Sequence, residues 1–165
     1  MSLQNTMSAL LSRYETLEVE PVETPVNRIG FTIINRFEDV GLLGQCIRVT
    51  AMAALTVEAA HQLELAVVEA LNNIIEHGFK PLDNSEIVLI YTVYPDRVRV
   101  MICDQGSPMP SQLLQEPSDV FDFDPENLDS LPEGGMGLAL IRQSVSSYHY
   151  ISDQSCNFLI LVKLR

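Results

Sequence analysis

Cysteine, basic residues and long apolar runs are all scarce in this chain of 165 residues. Ten Lys and Arg stand against 22 Asp and Glu, which gives a formal net charge of −12. Direct nucleic-acid binding is therefore disfavoured, because phosphate binding needs clustered basic side chains. No apolar run approaches the roughly 18 residues that a membrane span requires. The N-terminus has neither a basic start nor a long apolar core. We therefore expect a cytoplasmic protein without membrane contact.

The three cysteines, Cys46, Cys103 and Cys156, show no C-x-x-C spacing. They lie in apolar surroundings along the sequence. We therefore interpret all three as reduced core residues, without metal or redox chemistry. An apolar fraction of 47% with 19% charged residues is typical of a folded domain.

Hydrophobic periodicity divides the chain into an N-terminal arm, residues 1–27, and one domain, residues 28–165. The arm contains a stretch that is typical of a short amphipathic helix and then two prolines. In the domain, the pattern predicts the order β-α-α-β-β-loop-α-β-β. The loop, about residues 107–133, contains five prolines and is long enough to be a lid. This order favours the α+β class, with helices on one face of a mostly antiparallel mixed sheet.

The first candidate motif lies on the second predicted helix of the domain, residues 57–78. Glu69, Asn73 and His77 follow one another at intervals of four, so they share one helix face. An amide oxygen suits Mg²⁺, and a carboxylate one turn earlier can act as a general base. A solvated polar stripe on an amphipathic helix explains the same pattern. We assign no chemistry to His77.

The second motif is Asp104-Gln105-Gly106, at the end of a predicted strand. A carboxylate at this position can accept a hydrogen bond from an exocyclic amine such as that of adenine. A glycine beside it lets a flat base approach the backbone. An ordinary strand-to-loop turn, in which Asp and Gly are both common, is the alternative.

The third motif is a glycine-rich entry to a helix, with Gly134, Gly135 and Gly137. Backbone N–H groups at a helix N-terminus, together with the helix dipole, can hold phosphates. The alternative is a flexible loop end with a helix cap. No Gly-Lys-Ser/Thr follows, so the segment is not a Walker loop.

The order of these motifs resembles the GHKL ATPase superfamily, which has the Bergerat fold. Within it, the chain is similar to the bacterial anti-sigma-factor serine/threonine kinases of partner-switching systems. "ELAVVEALNNIIEHGF", "ICDQG" and "EGGMGLALIRQSV" look like that family's three nucleotide-binding boxes. The resemblance covers residues 28–165 and implies a two-layer α/β sandwich whose ATP lid is about residues 107–133.

The resemblance also implies roles for single residues, with ATP and Mg²⁺ as cofactors. Asn73 would be the Mg²⁺ ligand, and Glu69 the catalytic residue that takes a proton from the substrate serine. Asp104 would bind the adenine amine, with Gly106 beneath the base. The cofactor-binding glycines of the third box would be Gly134, Gly135 and Gly137.

The implied function is a serine kinase and anti-sigma-type regulator. It would phosphorylate a small STAS-type anti-anti-sigma protein, sequester a sigma factor or similar client, and form a homodimer. Two departures from the family pattern favour an alternative, a nucleotide-binding module that sequesters a partner with little kinase activity. Pro108 replaces a glycine of the second box, and the lid is acidic. A third interpretation is a generic α+β domain whose motifs arose by chance.

Overall fold

The computed structural model describes residues 8–14, 23–79, 84–110, 136–153 and 156–165. The helices in this part are α1 (residues 8–14), α2 (Phe37–Ala51), α3 (Val57–Asn73) and α4 (Met136–Ser144). A π-helical turn, Ile74–Gly78, continues α3. The strands are β1 (Asn27–Ile34), β2 (Glu86–Val93), β3 (Arg97–Asp104), β4 (Ser147–Asp153) and β5 (Cys156–Leu164). None of the helices described is long and apolar enough to cross a membrane.

The five strands form one sheet in the order β1-β2-β3-β5-β4. Every pairing among them is antiparallel, so the described sheet is not mixed. Helices α2, α3 and α4 pack against one face of this sheet. The predicted α+β class, with helices layered on a largely antiparallel sheet, is confirmed.

The central strands β2, β3 and β5 are buried on both faces, which explains their nearly continuous apolar sequences. Alternate residues, such as Leu89 and Val100, point to the helices. Their neighbours, such as Ile90 and Met101, point to the opposite face. A strand buried on both sides has no polar alternation. Something must therefore cover the second face.

Helix α1, a part of the predicted arm, lies on that second face. Leu11 and Tyr14 are buried there at 7% and 3% exposure. The ring of Tyr14 meets the ring of Phe158 with centroids 6.2 Å apart. Arg13 donates from Nε to Asp153 Oδ2 at 2.6 Å, and this ion pair ties α1 to the end of β4. Helix α1 is therefore part of the domain's packing.

Two local features set the spacing of the helices. Gly44 brings α2 close to α3, because a Cβ at this position would lie 2.6 Å from Val68 Cγ2. Lys163 of β5 donates to the carbonyl oxygen of Ser144 at 2.8 Å and to Gln62 Oε1 at 2.6 Å. A cation is favourable at the C-terminal end of α4. Lys163 thereby fastens α3 and α4 to the sheet.

Thr56 is the N-cap of α3, since its Oγ1 accepts a hydrogen bond from the backbone N–H of Ala59 at 3.2 Å. All three cysteines are free. Burial raises the pKa of Cys103, and it raises that of Cys156 to about 11, so both are neutral thiols at pH 7.

The prediction that Cys46 is a core residue is wrong, because its side chain is exposed. The inward face of α2 is taken by other residues: Val40, Leu43, Gly44, Ile47 and Ala51. Cys46 points away from them, because adjacent helical positions are about 100° apart around the axis.

We expect Leu11→Ala to lower the free energy of unfolding by about 2 kcal/mol, because it removes a buried side chain from the α1–sheet contact. Urea denaturation monitored by circular dichroism measures this. Ser12→Ala is the matched control, since Ser12 is exposed on the same helix and should change stability by less than about 0.5 kcal/mol. Equal stability of the two variants would show that α1 does not pack on the sheet.

Candidate functional site

A cavity of about 510 Å³ opens where α3, the end of β3 and the start of α4 meet. Its lining includes Asn73 and His77 from the first motif, Asp104 from the second and Gly137 from the third. Three segments far apart in sequence therefore converge on one concave surface. A cavity of this size is typical of a small-molecule site.

Glu69, Asn73 and Gly137 lie close together at the α4 side of the cavity. A Cβ built on Gly137 would lie 3.1 Å from Asn73 Oδ1 and 3.2 Å from Glu69 Oε2. Glu69 and Asn73 are both half-buried, and Asn73 lines the cavity while Glu69 lies beside it. The missing side chain of Gly137 thus allows the start of α4 to approach an acid and an amide on α3. This gives a carboxylate and a hard amide oxygen beside a helix N-terminus.

The end of the first motif is a π-helical turn rather than a continued α-helix. Such turns often occur at functional sites. This one ends at Gly78, whose carbonyl oxygen accepts a hydrogen bond from the backbone N–H of Ser107 at 2.7 Å. A Cβ on Gly106 would lie 2.7 Å from the same oxygen. Gly106 therefore allows the chain after β3 to pack directly against the end of the turn.

Asp104 is the last residue of β3 and is only 5% exposed, although it lines the cavity. Its Oδ1 accepts from the backbone N–H of Gly106 at 2.8 Å and from Asn157 Nδ2 at 2.9 Å. Burial raises the pKa of Asp104, and these two hydrogen bonds oppose the rise. The site therefore presents a carboxylate acceptor in dry surroundings.

Two lining residues, Tyr150 and Asn157, are absent from the candidate residues read from the sequence. Tyr150 accepts a hydrogen bond at its hydroxyl from the backbone N–H of Met109 at 2.8 Å, which ties the start of the predicted lid to β4. Burial raises the pKa of Tyr150, so it is a neutral phenol at pH 7. Both residues belong to predicted strands. They reach the cavity through the register of β5 against β3 and of β4 against β5. No sequence motif encodes that register.

Part of the prediction lies outside the described residues. Gly134, Gly135 and lid residues 111–133 belong to this part. Of the predicted lid, residues 107–110 are described, and Pro108 lines the cavity.

Comparison with known proteins shows which proteins this chain is similar to. Residues 38–163 match the family model described as histidine kinase-like ATPase domain. Serine-protein kinase RsbW of Bacillus mycoides strain KBAB4 is 29% identical over 98 residues, which is 59% of this chain and 60% of that protein. Serine-protein kinase RsbW of Listeria monocytogenes serotype 4a strain HCC23 is 26% identical over 112 residues, 68% of this chain and 71% of that protein.

Among solved structures, the RsbU and RsbW domains of a Mycobacterium tuberculosis protein have a TM-score of 0.59 and 15% sequence identity. The match covers 86% of this chain and 34% of that one, and it supports the fold alone. The alignment with the Bacillus relative spans less than two thirds of that protein's length.

The family match includes all three motifs and most of the described helices and strands. The resemblance to the GHKL ATPase superfamily is thereby confirmed, and the chain belongs to the histidine kinase-like ATPase domain family.

Proposed function

We propose that this protein is a Mg-ATP-dependent serine protein kinase and anti-sigma-type regulator. One observation carries the proposal: Asp104 and Asn73 line the same cavity from different elements, and Glu69 lies beside it, next to Asn73 and Gly137. Asp104 suits the amine of an adenine, and the pair Glu69–Asn73 suits the phosphates with their metal ion. The names of the relatives, serine-protein kinase RsbW, support the same activity.

The residues present fit Mg²⁺ and ATP. Mg²⁺ keeps several waters and takes few protein ligands, and Asn73 Oδ1 offers one hard oxygen beside the backbone of Gly137. The described residues contain no group of three or more His, Cys, Asp and Glu that could hold a metal ion. Most ligands of a magnesium ion at Asn73 would therefore be water and phosphate oxygens. We also propose that the backbone of Gly134, Gly135 and Gly137 contacts the phosphates.

These positions support a specific role for each residue. Asp104 accepts a hydrogen bond from the base. Gly106 has no side chain, so the backbone there can lie close to the base. Glu69, beside the phosphate end, accepts the proton of the substrate hydroxyl as general base. Bound Mg²⁺ would neutralise charge on the transferred phosphoryl group. Transfer is then chiefly a matter of positioning and charge compensation.

The proposed substrate is a serine of a small STAS-type anti-anti-sigma protein, and the proposed client is a sigma factor or a similar regulator. We also propose a homodimer acting in the cytoplasm. The alternative is a module that binds nucleotide and sequesters its partner with little kinase activity. Pro108 in the cavity lining supports this alternative, because proline fixes φ and offers no N–H to a ligand.

Asp104→Asn should weaken ATP binding by about 10- to 100-fold, the worth of one hydrogen bond to a charged group. Binding of inorganic tripolyphosphate should change little, because the substitution affects the base end. Calorimetry with both ligands in the presence of Mg²⁺ measures this. Asp96→Asn, an exposed carboxylate in the turn between β2 and β3, is the control. Unchanged ATP affinity in Asp104→Asn would rule out this assignment.

Asn73→Ala should abolish the Mg²⁺-dependent part of ATP binding, because the ion loses its protein oxygen ligand. Glu69→Gln should leave ATP bound and slow phosphotransfer by about 10²- to 10⁴-fold, the usual contribution of a general base. Calorimetry and single-turnover transfer to a cognate STAS-type protein separate the two effects.

Neighbouring positions on α3 provide the controls for this pair. Asn72→Ala should bind Mg-ATP normally, since Asn72 does not line the cavity. Glu64→Gln should transfer at the wild-type rate, because Glu64 pairs with Arg48 on the side of α2. Equal transfer rates for Glu69→Gln and wild type would exclude the kinase mechanism. Loss of Mg-ATP binding in Asn73→Ala, together with an unchanged transfer rate in Glu69→Gln, would support the alternative of a module that sequesters its partner.

Gly137→Ala should reduce phosphotransfer by at least about tenfold, because its methyl group would push against Asn73 and Glu69 and misplace them. Gly41→Ala is a matched glycine control, since its Cβ would meet nothing within 4 Å. That control should raise the free energy of unfolding by about 0.5–1 kcal/mol without changing transfer. Wild-type transfer by Gly137→Ala would show that the approach of α4 to α3 has no role in the reaction.

A further inference from the structure

Three polar residues on three neighbouring strands form a row at the cavity end of the sheet. Ser152 of β4 pairs with Asn157 of β5, and Asn157 pairs with Asp104 of β3. Directly opposite residues on adjacent strands project to the same face of a sheet. The row therefore lies on the helix-bearing face, and Asn157 is its central member.

Hydrogen bonds occupy every polar group of the Asn157 side chain. Its Nδ2 donates to Asp104 Oδ1 at 2.9 Å and to the carbonyl oxygen of Gly106 at 3.0 Å. Its Oδ1 accepts from Ser152 Oγ at 2.8 Å. The reversed amide would put an oxygen against a carboxylate and a carbonyl, which are both acceptors. One orientation of the amide is thereby fixed, and at 3% exposure water competes little with these bonds.

The hydrogen bonds of this network are not shared equally between the two carboxylate oxygens of Asp104. Within the described part of the chain, both hydrogen bonds to this carboxylate, from Gly106 N and Asn157 Nδ2, end on Oδ1. Oδ2 is therefore the oxygen left for a ligand in the cavity. Both donors also favour the ionised form of the acid, which accepts hydrogen bonds and does not donate them.

We propose that Asn157, held by Ser152, is a positioning residue that makes the cavity selective for purines with a 6-amino group over those with a 6-oxo group. The proposal rests on the adenine-nucleotide function proposed above and adds a determinant of base choice. A 6-amino group donates to Oδ2 of the oriented carboxylate. A 6-oxo group would place its oxygen against that carboxylate, and the repulsion excludes it.

Loss of the Asn157 amide acts through Asp104 in two ways. The carboxylate is then held only by the backbone N–H of Gly106, so it rotates and exchanges its oxygens more easily. Its protonated form also becomes more accessible, because one donor that favoured the charge is gone. A protonated acid can donate to a 6-oxo group. Selectivity between the two purines should therefore fall more than affinity for the triphosphate they share.

The test compares ATP with inosine 5′-triphosphate, measured by calorimetry with Mg²⁺ on the full chain. Wild type should prefer ATP. Asn157→Leu keeps the branching and the number of side-chain heavy atoms but has no donors, and it should reduce this preference by about 10- to 100-fold. Ser152→Ala, at an exposed position, should reduce it by about two- to tenfold. Asn35→Ala, another buried asparagine outside the cavity lining, should retain the wild-type preference.

The outcomes distinguish this inference from the proposed function. An ATP preference that survives in Ser152→Ala and Asn157→Leu, but not in Asp104→Asn, would overturn the role of Asn157 and leave the adenine site intact. Failure of wild type to bind either triphosphate would overturn the adenine-nucleotide function itself. Thermal unfolding verifies that each variant is folded. If Asn157→Leu does not fold, Ser152→Ala and Asn157→Ser are measured in its place. An unchanged preference for ATP over inosine 5′-triphosphate in both variants would contradict the proposal.

Discussion

The close approach of two backbones, at Gly78 and Gly106, is the contact on which the geometry of the cavity depends. A side chain at Gly106 would collide with the carbonyl group of Gly78, which also accepts a hydrogen bond from Ser107. The contact joins the end of the π-helical turn to the end of β3. Asn73 lies just before that turn and Asp104 just before Gly106, so one contact fixes the distance between the two sides of the cavity.

The rigidity of that contact comes from the layers around it. Strand β3 lies between β2 and β5 and is buried on both faces, with α3 on one side and α1 on the other. Lys163 ties α3 and α4 to the neighbouring strand. A packed interior resists small displacements because each movement forms voids or collisions. Asp104 therefore lies at the end of a stiff element, which suits the ligand contact proposed for it.

The sequence predicted the elements well because their signals are local. The apolar periodicity of the helices and the apolar runs of the strands each arise within a few residues. What could not be predicted depends on contacts between distant segments. The row Ser152–Asn157–Asp104 exists only through strand register.

Two further differences between expectation and structure have the same origin. Helix α1 packs on the sheet because that face would otherwise expose apolar side chains to water. The sequence of the arm shows only a short amphipathic pattern, which does not indicate this contact. Cys46 has an apolar neighbourhood in sequence and yet lies on the outer side of α2. The sequence supplied Glu69, Asn73 and Gly137 as candidates, but how closely Gly137 approaches Asn73 and Glu69 is a property of helix packing.

Two electrostatic features of the cavity are the buried carboxylate of Asp104 and the lack of basic side chains in the described lining. At Asp104, a buried carboxylate is tolerated because Gly106 and Asn157 donate to it, and the dry surroundings strengthen each of these bonds. The described lining of the cavity contains no lysine or arginine. The chain also carries a net charge of −12, so any anionic ligand would approach against a repulsive field.

Under the proposed function, charge compensation at the phosphate end must therefore come from a divalent cation and from backbone N–H groups at the start of α4. Neither source distinguishes one base from another. Selectivity for the nucleotide consequently has to come from Asp104 and the residues that hold it. If the proposed function holds, this separation explains how an acidic protein would bind a polyanion and still distinguish its base.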